Sequence, residues 1–348
     1  MNERELVATV TALTADGKGL LAIDESTPTC NKRFATLGIP ETVEARRAYR
    51  EMIVTTPRLD ECISGVILYD ETIRQQTKGG TAFATFLAST GILPGIKVDT
   101  GAKPLAGYPG EKITEGLDGL RDRLAAYRRM GARFAKWRAV IAIGDGLPSR
   151  GCIAANAHAL ARYAALCQEA GLVPAVEPEV LMTGDHTLQR CYDVTLEVLR
   201  TVFDELYAQR VLLEGMILKP NMVVSGLACS EQPSLDEVAD ATVGCFLRAV
   251  PAAVAGVAFL SGGQNGELAS ARLNAMNVRF ASRRPWALTF SFGRAIQQPA
   301  LEIWHGDEAR SPLAQRALYH RAACDRAARR GRYDATTDSD RGTAHRAP

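Results

Sequence analysis

The chain has 348 residues, of which 47% are hydrophobic and 23% are charged, and its formal net charge is +2. This near-balance of charge excludes the large basic field that recruits nucleic acids or acidic membranes, and it favours small polar metabolites as ligands. The hydrophobic fraction is sufficient for a full core of the kind that globular proteins build.

The start of the chain does not predict a secretory signal. The first residues, MNERELVATVTAL, include acidic side chains and lack the uninterrupted apolar segment of a secretory signal. No run of about eighteen apolar residues predicts a transmembrane helix. The eight cysteines are scattered without CxxC pairs, so we expect reduced thiols, no disulfides and no zinc site. We therefore expect a cytoplasmic protein.

Short apolar segments recur along the chain at intervals that leave room for helices. They are rich in Val, Ile, Leu and Phe and do not alternate with polar residues, which is typical of parallel strands buried on both faces. The eight segments are LLAID at 20–24, GVILY at 65–69, GIKVD at 95–99, FAKW at 134–137, LVPAVEPE at 172–179, GMILKPN at 215–221, GVAFLSGG at 256–263 and WALTFSFGR at 286–294.

The intervening segments carry helix signals. Segments 117–130 and 151–170 are each followed by a glycine, which favours a left-handed C-cap. Asp185 is a candidate N-cap for a long amphipathic helix. Ser234 and Glu237 form a capping box ahead of another apolar face. The pattern therefore predicts helices between the strands.

Strand and helix alternate eight times, which favours a (β/α)8 TIM barrel over an open doubly wound sheet. Residues before about 18 predict an additional N-terminal helix, and residues 309–331 predict a C-terminal one. Beyond residue 332 the sequence becomes polar. We therefore expect a single barrel domain over residues 1–332 and a polar, mobile C-terminal tail over residues 333–348.

Lysine is scarce, with eight lysines against thirty-three arginines, yet three lysines lie in or beside the most apolar segments. These are Lys97, Lys136 and Lys219. A desolvated amine beside another cation loses its proton readily and becomes a nucleophile that can condense with a carbonyl. The sequence therefore indicates an imine-forming enzyme, with Lys219 as the first candidate for the covalent bond.

Polar residues cluster where the predicted strands end. In a barrel of this type the carboxyl ends of the strands form the active site. An amine nucleophile, carboxylates for proton transfer, and cations with a glycine-rich loop for phosphate would together constitute such a site. The residues at these ends are Asp24, Lys97, Asp99, Lys136, Arg138, Glu177, Glu179, Lys219, Asn221, Ser261, Gly262, Gly263, Ser291 and Arg294.

Each residue taken alone also has a structural interpretation. A lone lysine at a strand end is more often a partly exposed lysine paired with an acid. Glu177 and Glu179 lie on the same side of a strand and could simply form ion pairs with Lys136 and Arg138. Asp24 could cap the helix that follows it. The functional interpretation gains weight because the residues recur at successive strand ends.

The motifs LLAIDEST, GVILYDET, GIKVDTG, FAKWR, VEPE, LKPNM, FLSGGQ and PWALTFSFGRAIQ closely resemble those of the class I, Schiff-base fructose-bisphosphate aldolases. The resemblance runs from about residue 10 to about residue 333, and the combination of LKPNM with FLSGGQ and FSFGRA is highly specific. It implies reversible cleavage of fructose 1,6-bisphosphate to dihydroxyacetone phosphate and glyceraldehyde 3-phosphate, in glycolysis and gluconeogenesis. It also implies a homotetramer that needs no metal or other cofactor.

The resemblance assigns catalytic roles to five residues. Lys219 matches the lysine that attacks the C2 ketone and forms the iminium ion, and Lys136 supplies a positive charge nearby. Glu177 matches the carboxylate that shuttles protons while the carbinolamine is dehydrated. Asp24 matches the group that takes the C4 hydroxyl proton, and Glu179 matches the acid that tunes Glu177 and Lys136.

The resemblance also assigns two groups of substrate-binding residues. A glycine turn and a guanidinium fork suit a phosphate dianion. The C1-phosphate group comprises Ser261, Gly262 and Arg294. The group for the sugar hydroxyls and the C6 phosphate comprises Lys97, Arg138, Ser26 and Arg33.

The chain departs from the animal sequences at several positions. It has Pro28 and Thr29 in place of Gly-Ser, Thr100 in place of lysine and Phe292 in place of tyrosine. It ends at Pro348 without the terminal tyrosine that influences substrate choice in the animal enzymes. The preference between bisphosphate and monophosphate sugars is therefore left open.

Three alternatives remain at this point. One is another Schiff-base lyase on the same barrel, acting on a monophosphate or a different sugar. Another is a non-catalytic scaffold whose arginine-rich surface and tail bind a partner, although the polar groups kept at the strand ends argue against it. A metal-dependent aldolase is disfavoured because the five histidines form no ligand cluster in the sequence.

Overall fold

The structure is a computed structural model that describes residues 2–15, 17–336 and 338. The strands are β1 (Gly19–Ala22), β2 (Ile63–Leu68), β3 (Leu93–Lys97), β4 (Gly101–Pro104), β5 (Lys112–Glu115), β6 (Phe134–Ile141), β7 (Val173–Val180), β8 (Ile217–Leu218), β9 (Gly256–Phe259) and β10 (Ala287–Phe292). The helices are α1 (Glu3–Leu13), α2 (Thr27–Ala35), α3 (Val43–Val54), α4 (Asp70–Ile73), α5 (Phe83–Ser89), α6 (Leu120–Arg129), α7 (Arg150–Glu169), α8 (Leu188–Ala208), α9 (Leu235–Ala249), α10 (Gly266–Arg279), α11 (Arg294–Trp304) and α12 (Ser311–Arg329).

Eight of the strands form a closed barrel in the order β1-β10-β9-β8-β7-β6-β3-β2. Every neighbouring pair in the barrel is parallel. Each of the eight predicted apolar segments overlaps one of these strands. The predicted (β/α)8 barrel and the additional helices at both ends are therefore confirmed.

Aromatic rings fill the barrel interior beside two glycines. A Cβ atom on Gly95 would overlap the ring of Phe134, and one on Gly19 would lie 2.6 Å from the ring of Phe290. A small barrel fills its interior with layers of large and small side chains. These glycines are therefore required by close packing.

Helix α1 packs against the end of the barrel opposite the strand carboxyl ends. Its residues Leu6, Val10 and Leu13 are fully buried and share one hydrophobic cluster with Leu20 and Phe134. The N-terminal helix therefore closes this end of the core, and the carboxyl ends remain available for a site.

Contacts between β6 and α7 show which side chains of β6 point into the barrel. The ring centroid of Trp137 lies 5.6 Å from that of Tyr163 on α7, and the Tyr163 hydroxyl donates a hydrogen bond of 2.6 Å to the carbonyl oxygen of Ala135. Because side chains alternate along a strand, Lys136 and Arg138 face the interior.

The helix caps agree with the sequence at one site and differ at another. Ser234 and Glu237 form the predicted capping box at the start of α9. Asp185 was expected to cap α8, but this prediction is wrong: Thr187 is the N-cap and its Oγ1 accepts a hydrogen bond of 3.2 Å from the Arg190 amide. Thr187 has extended backbone angles directly before the first helical residue, which is the N-cap position.

A hairpin of β4 and β5 was not predicted. Its two strands pair antiparallel and form a separate sheet. In the sequence the hairpin lies between β3 and β6. Most of its residues are half-buried or exposed, so it lacks the apolar segments that mark the barrel strands. The Thr114 hydroxyl donates a hydrogen bond of 2.8 Å to the carbonyl oxygen of Arg138, and this bond anchors the hairpin to β6.

The C-terminal helix is followed by residues that the structure describes only in part. Asp338 is buried, and its Oδ1 lies 2.8 Å from Nε2 of His320 on α12. Residues 339–348 of the predicted mobile tail lie outside the described residues, and the division at residue 332 stays a prediction. None of the helices described here combines the length and the apolar character needed to cross a bilayer.

Candidate active site

A cavity of about 980 Å³ opens at the carboxyl ends of the barrel strands. All twelve residues predicted to act in catalysis or substrate binding line it. They are Asp24, Ser26, Arg33, Lys97, Lys136, Arg138, Glu177, Glu179, Lys219, Ser261, Gly262 and Arg294. The barrel therefore brings residues from 24 to 294 together in one place.

Four of these residues form a row in which amines and carboxylates alternate, which we call the lysine–carboxylate chain. Its members, in order, are Lys219, Glu177, Lys136 and Asp24. Lys219 Nζ contacts Glu177 Oε1. Lys136 Nζ lies 3.2 Å from Glu177 Oε2 and 2.6 Å from Asp24 Oδ2. Both lysines are only 4% exposed and Glu177 is 2% exposed. Each of these amines lies beside a carboxylate, which is how buried ionisable groups are paired.

The mutual attraction sets the protonation state of three of these groups. Burial acts to raise the pKa of the Asp24 and Glu177 carboxyls, but the positive charges of Lys136 and Lys219 outweigh it and hold each pKa below its ordinary value. Burial acts to lower the pKa of Lys136, but Asp24 and Glu177 outweigh it and raise that pKa. At neutral pH both carboxylates are ionised and Lys136 is a cation.

Backbone and side-chain hydrogen bonds hold the segment that carries Lys219. The residue follows β8 directly, and its amide donates a hydrogen bond of 2.8 Å to the carbonyl oxygen of Val176. Two residues later, Asn221 Oδ1 accepts a hydrogen bond of 3.0 Å from the Val180 amide. The Nδ2 atom of Asn221 donates a hydrogen bond of 3.2 Å to Thr195 Oγ1 on α8. The segment that carries Lys219 is therefore tied to β7 and α8.

A second group of charges lies beside the lysine–carboxylate chain. Glu179 forms an ion pair with the Arg138 guanidinium, which matches the structural interpretation of this carboxylate. Lys97 Nζ lies 2.6 Å from Asp99 Oδ1, and Asp99 Oδ2 accepts a hydrogen bond of 3.3 Å from the Arg138 amide. Asp99 therefore positions two predicted substrate-binding residues, although the sequence analysis gave it no role.

Arg33 is held at the cavity by partners that the sequence did not indicate. Its Nη1 lies 2.6 Å from Glu25 Oε1 and donates a hydrogen bond of 3.2 Å to Gln297 Oε1. The buried Arg50 contributes a second cation, 2.8 Å from Glu25 Oε2. Glu25 follows Asp24 in a loop, where no periodicity shows which way a side chain faces. Ser26 Oγ lies 3.1 Å from Thr29 Oγ1.

A glycine turn and an arginine also line the cavity. Gly262 and Gly263 both have left-handed backbone angles, with φ of +59° and +99°. Nη2 of Arg294, at the start of α11, lies 3.4 Å from the position that a Cβ on Gly263 would occupy. A glycine turn, a guanidinium and a helix N-terminus together suit a phosphate dianion.

Comparisons with known proteins identify the family. The family model described as class-I fructose-bisphosphate aldolase matches residues 5–347. The chain belongs to the class I fructose-bisphosphate aldolase family. A probable class 1 fructose-bisphosphate aldolase of Xanthomonas campestris pv. campestris is 58% identical over 323 residues, which cover 92% of this chain and 96% of the relative.

Relatives from eukaryotes extend the match. The cytosolic fructose-bisphosphate aldolase 6 of Arabidopsis thaliana is 48% identical over 340 residues, covering 98% of this chain and 94% of the relative. A solved structure of the Plasmodium falciparum aldolase, in complex with TRAP and a small-molecule inhibitor, superposes with a TM-score of 0.93 at 44% identity and covers 95% of both chains.

The four substituted positions, Pro28, Thr29, Thr100 and Phe292, all lie in described parts of this family member, and Thr29 lines the cavity. Thr100 lines the cavity, whereas Phe292 is fully buried. Thr100 therefore offers a hydroxyl at the cavity where the animal sequences have an ammonium group. The expected difference at the C-terminus falls on residues outside the described part of the chain.

One group of possible metal-binding side chains was missed by the sequence analysis. Within the described residues, His320, Cys324 and Asp338 place one donor atom each within 4.8 Å of one another. None of the three lines the cavity. The histidines alone did not indicate this group, because Asp338 belongs to a segment with no predicted contact to α12.

Proposed function

We propose that this chain catalyses the reversible aldol cleavage of fructose 1,6-bisphosphate to dihydroxyacetone phosphate and glyceraldehyde 3-phosphate through a Schiff base on Lys219. The observation that carries the proposal is the lysine–carboxylate chain. It buries an amine in contact with an ionised carboxylate, at the centre of a cavity that holds separate cationic groups for two phosphates. Membership of the aldolase family supports the same activity.

Imine formation requires a proton acceptor and a proton donor at the same nitrogen. Glu177 contacts Lys219 Nζ, so it can take one proton from the ammonium form and leave the neutral amine, which attacks C2. A second proton moves from the attacking nitrogen to the former carbonyl oxygen and gives the carbinolamine. The same carboxyl then returns its proton to the carbinolamine hydroxyl, which leaves as water and gives the iminium ion. Lys136, 3.2 Å from Glu177, remains protonated and stabilises the carboxylate between these steps.

Cleavage requires a base at the C4 hydroxyl. Asp24 is ionised and can accept this proton while the C3–C4 bond breaks and its electron pair moves to the iminium nitrogen. The aldehyde product leaves and an enamine remains on Lys219. Protonation of the enamine at C3 and hydrolysis of the imine then release dihydroxyacetone phosphate and restore the lysine.

The two phosphates are assigned to two groups of residues that line the cavity. We propose that Ser261, Gly262 and Arg294 bind the C1 phosphate. A second group, made of three cations and one serine hydroxyl, binds the C6 phosphate and orients the hydroxyl groups. These residues are Lys97, Arg138, Ser26 and Arg33. Two anchoring sites fix the C2 carbonyl relative to Lys219, which is the positioning that such a reaction needs.

Borohydride reduction in the presence of dihydroxyacetone phosphate tests the nucleophile and the substrate together. We expect a three-carbon adduct on the peptide that contains Lys219, and loss of both adduct and turnover in Lys219→Met. The matched control is Lys103→Met on β4, which should label and turn over normally because Lys103 is exposed and does not line the cavity. Labelling and turnover that persist in Lys219→Met would overturn the proposal.

We also propose that the protein acts in the cytoplasm as a homotetramer, as its resemblance to the family implies. Light scattering of the purified chain should give four times the mass of one chain. Comparing rates on several ketose phosphates will separate fructose 1,6-bisphosphate cleavage from a preference for monophosphate sugars. A bisphosphate enzyme should lose at least about tenfold in kcat/KM when one phosphate is absent, because an anchoring ion pair is lost.

A further inference from the structure

Helix α12 and residue 338 bring three different donor atoms together, away from the cavity. His320 and Cys324 are four residues apart and therefore lie on the same face of α12. The separations are 2.8 Å between His320 Nε2 and Asp338 Oδ1, 3.3 Å between Cys324 Sγ and Oδ1, and 3.7 Å between Sγ and Nε2. The three atoms form a triangle rather than a row.

The triangle has nearly the dimensions of one face of a tetrahedral zinc site. Zinc bonds of about 2.0 Å to nitrogen or oxygen and about 2.3 Å to sulfur place neighbouring ligand atoms about 3.3–3.6 Å apart. The two separations that involve Cys324 Sγ lie within about 0.3 Å of this range. The nitrogen–oxygen edge needs to open by about 0.5 Å, because a hydrogen bond now joins these atoms.

The second oxygen of Asp338 is already held by other groups. Asp338 Oδ2 contacts Arg321 Nη1 and accepts a hydrogen bond of 2.7 Å from the Tyr333 hydroxyl. Arg321 is in turn fixed by Ser270, whose Oγ accepts a hydrogen bond of 2.8 Å from Nη2. These contacts turn Oδ1 toward His320 and Cys324. Outer partners of this kind orient the carboxylate ligands of metal sites.

We propose that His320, Cys324 and Asp338 bind one zinc ion, and that the ion fixes residue 338 to α12. Imidazole and thiolate ligands select zinc over magnesium and calcium, which take oxygen ligands. Cys324 Sγ releases its proton to solvent as the sulfur–zinc bond forms, and neutral His320 coordinates through Nε2 with its proton on Nδ1. A water molecule completes the tetrahedron. The thiolate and the carboxylate together neutralise the charge of the ion.

The site is structural because its residues do not line the cavity. It goes beyond the proposed aldol reaction and does not depend on it. The ion replaces two hydrogen bonds at Asp338 Oδ1 with one centre that joins all three side chains. Binding therefore links the segment after α12 to the helix more firmly than the hydrogen bonds alone.

Metal titration of the full-length, tag-free chain tests the proposal. After removal of bound metal with a chelator, we expect one high-affinity zinc ion per chain by calorimetry and elemental analysis. Cobalt should occupy the same site with intense tetrahedral visible bands and a near-ultraviolet thiolate-to-cobalt charge-transfer band. Cys324→Ser and His320→Gln should each weaken zinc binding by at least about 100-fold, because each removes one of three protein ligands.

Two further variants make the test specific. Tyr333→Phe removes only a hydrogen bond to Asp338 Oδ2, so zinc binding should weaken by about tenfold while the charge-transfer band remains. Cys229→Ser alters the other partly exposed thiol and should leave binding unchanged. Circular dichroism checks that each variant is folded.

Zinc binding of unchanged affinity in both Cys324→Ser and His320→Gln would overturn the proposal. A cobalt complex without the charge-transfer band would do the same. If either ligand variant does not fold, X-ray absorption of the zinc-loaded parent chain decides the question. One sulfur and three nitrogen or oxygen neighbours are expected, and a shell without sulfur would refute the site.

Discussion

Replacing Glu177 by glutamine tests the lysine–carboxylate chain at its centre. This carboxylate contacts Lys219 and lies 3.2 Å from Lys136, so the substitution removes the only acid between two buried amines in the described site. Glutamine keeps the shape of the side chain but cannot take and return a proton. Loss of a positioned acid–base group costs about 10²–10⁴ in rate, or about 2.7–5.4 kcal/mol in activation free energy.

The substitution should also destabilise the fold. Removing one partner of a buried ion pair leaves an uncompensated charge and costs about 3–5 kcal/mol, although Asp24 still compensates Lys136. The matched control is Glu179→Gln, two residues along the same strand and on the same side. Its partner Arg138 is 43% exposed, so water can solvate the freed cation and the loss of stability should be smaller.

Two kinetic assays separate the steps. The rate of borohydride-trappable imine formation reports on the first step, and kcat reports on complete turnover. In Glu177→Gln both rates should fall by similar factors, whereas Glu179→Gln should keep most of the rate of imine formation. A kcat within tenfold of the parent enzyme, or unimpaired imine formation, would refute the role assigned to Glu177.

Three other measurements follow from the structure. Asp24 and Glu177 each have a lower pKa in the folded than in the unfolded state, so the stability that they confer is complete above their unfolded pKa values of about 4. This stability is lost as the pH falls through their folded pKa values. Urea unfolding should therefore give a free energy of unfolding that decreases as the pH is lowered over that range. Arg294→Ala should lower kcat/KM for fructose 1,6-bisphosphate by about 10–100-fold through loss of charged hydrogen bonds, whereas the exposed Arg310→Ala should change it little in the same steady-state assay. Gly95→Ala should lower the free energy of unfolding by about 1–3 kcal/mol because the new Cβ overlaps the Phe134 ring, and Phe134→Leu in the same chain should recover part of the loss.

The strands and the position of the site could be predicted because both follow from local rules. A segment such as GVILY, apolar on both faces, fits only a strand covered on both sides, and parallel barrel strands bring their carboxyl ends to one face. That rule alone places Asp24, Lys136 and Lys219 at a common cavity, although they are distant in the chain. The resemblance to aldolases added roles but was not needed for the location.

The pairing of charges could not be predicted in the same way. The spacing of Glu177 and Glu179 shows that they share a side of β7, but it does not show that one meets Lys219 and the other Arg138. Ion-pair partners depend on the register between strands and on side-chain length, and single-sequence patterns contain neither. The same limit applies to Asp338, whose partners on α12 precede it by more than ten residues.

The arrangement of charge around Lys219 has a chemical consequence for the proposed reaction. An iminium nitrogen carries the same unit positive charge as an ammonium nitrogen, so the Glu177 carboxylate that compensates a protonated Lys219 also compensates the covalent intermediate. No reorganisation of the buried charges is then needed when the iminium forms, and this preorganisation lowers its free energy. The neutral enamine lacks this stabilisation, which favours its protonation at C3 and return to the iminium. Glu177→Gln should therefore reduce the fraction of enzyme trapped as the reduced imine at equilibrium with dihydroxyacetone phosphate, in addition to the rate at which it forms.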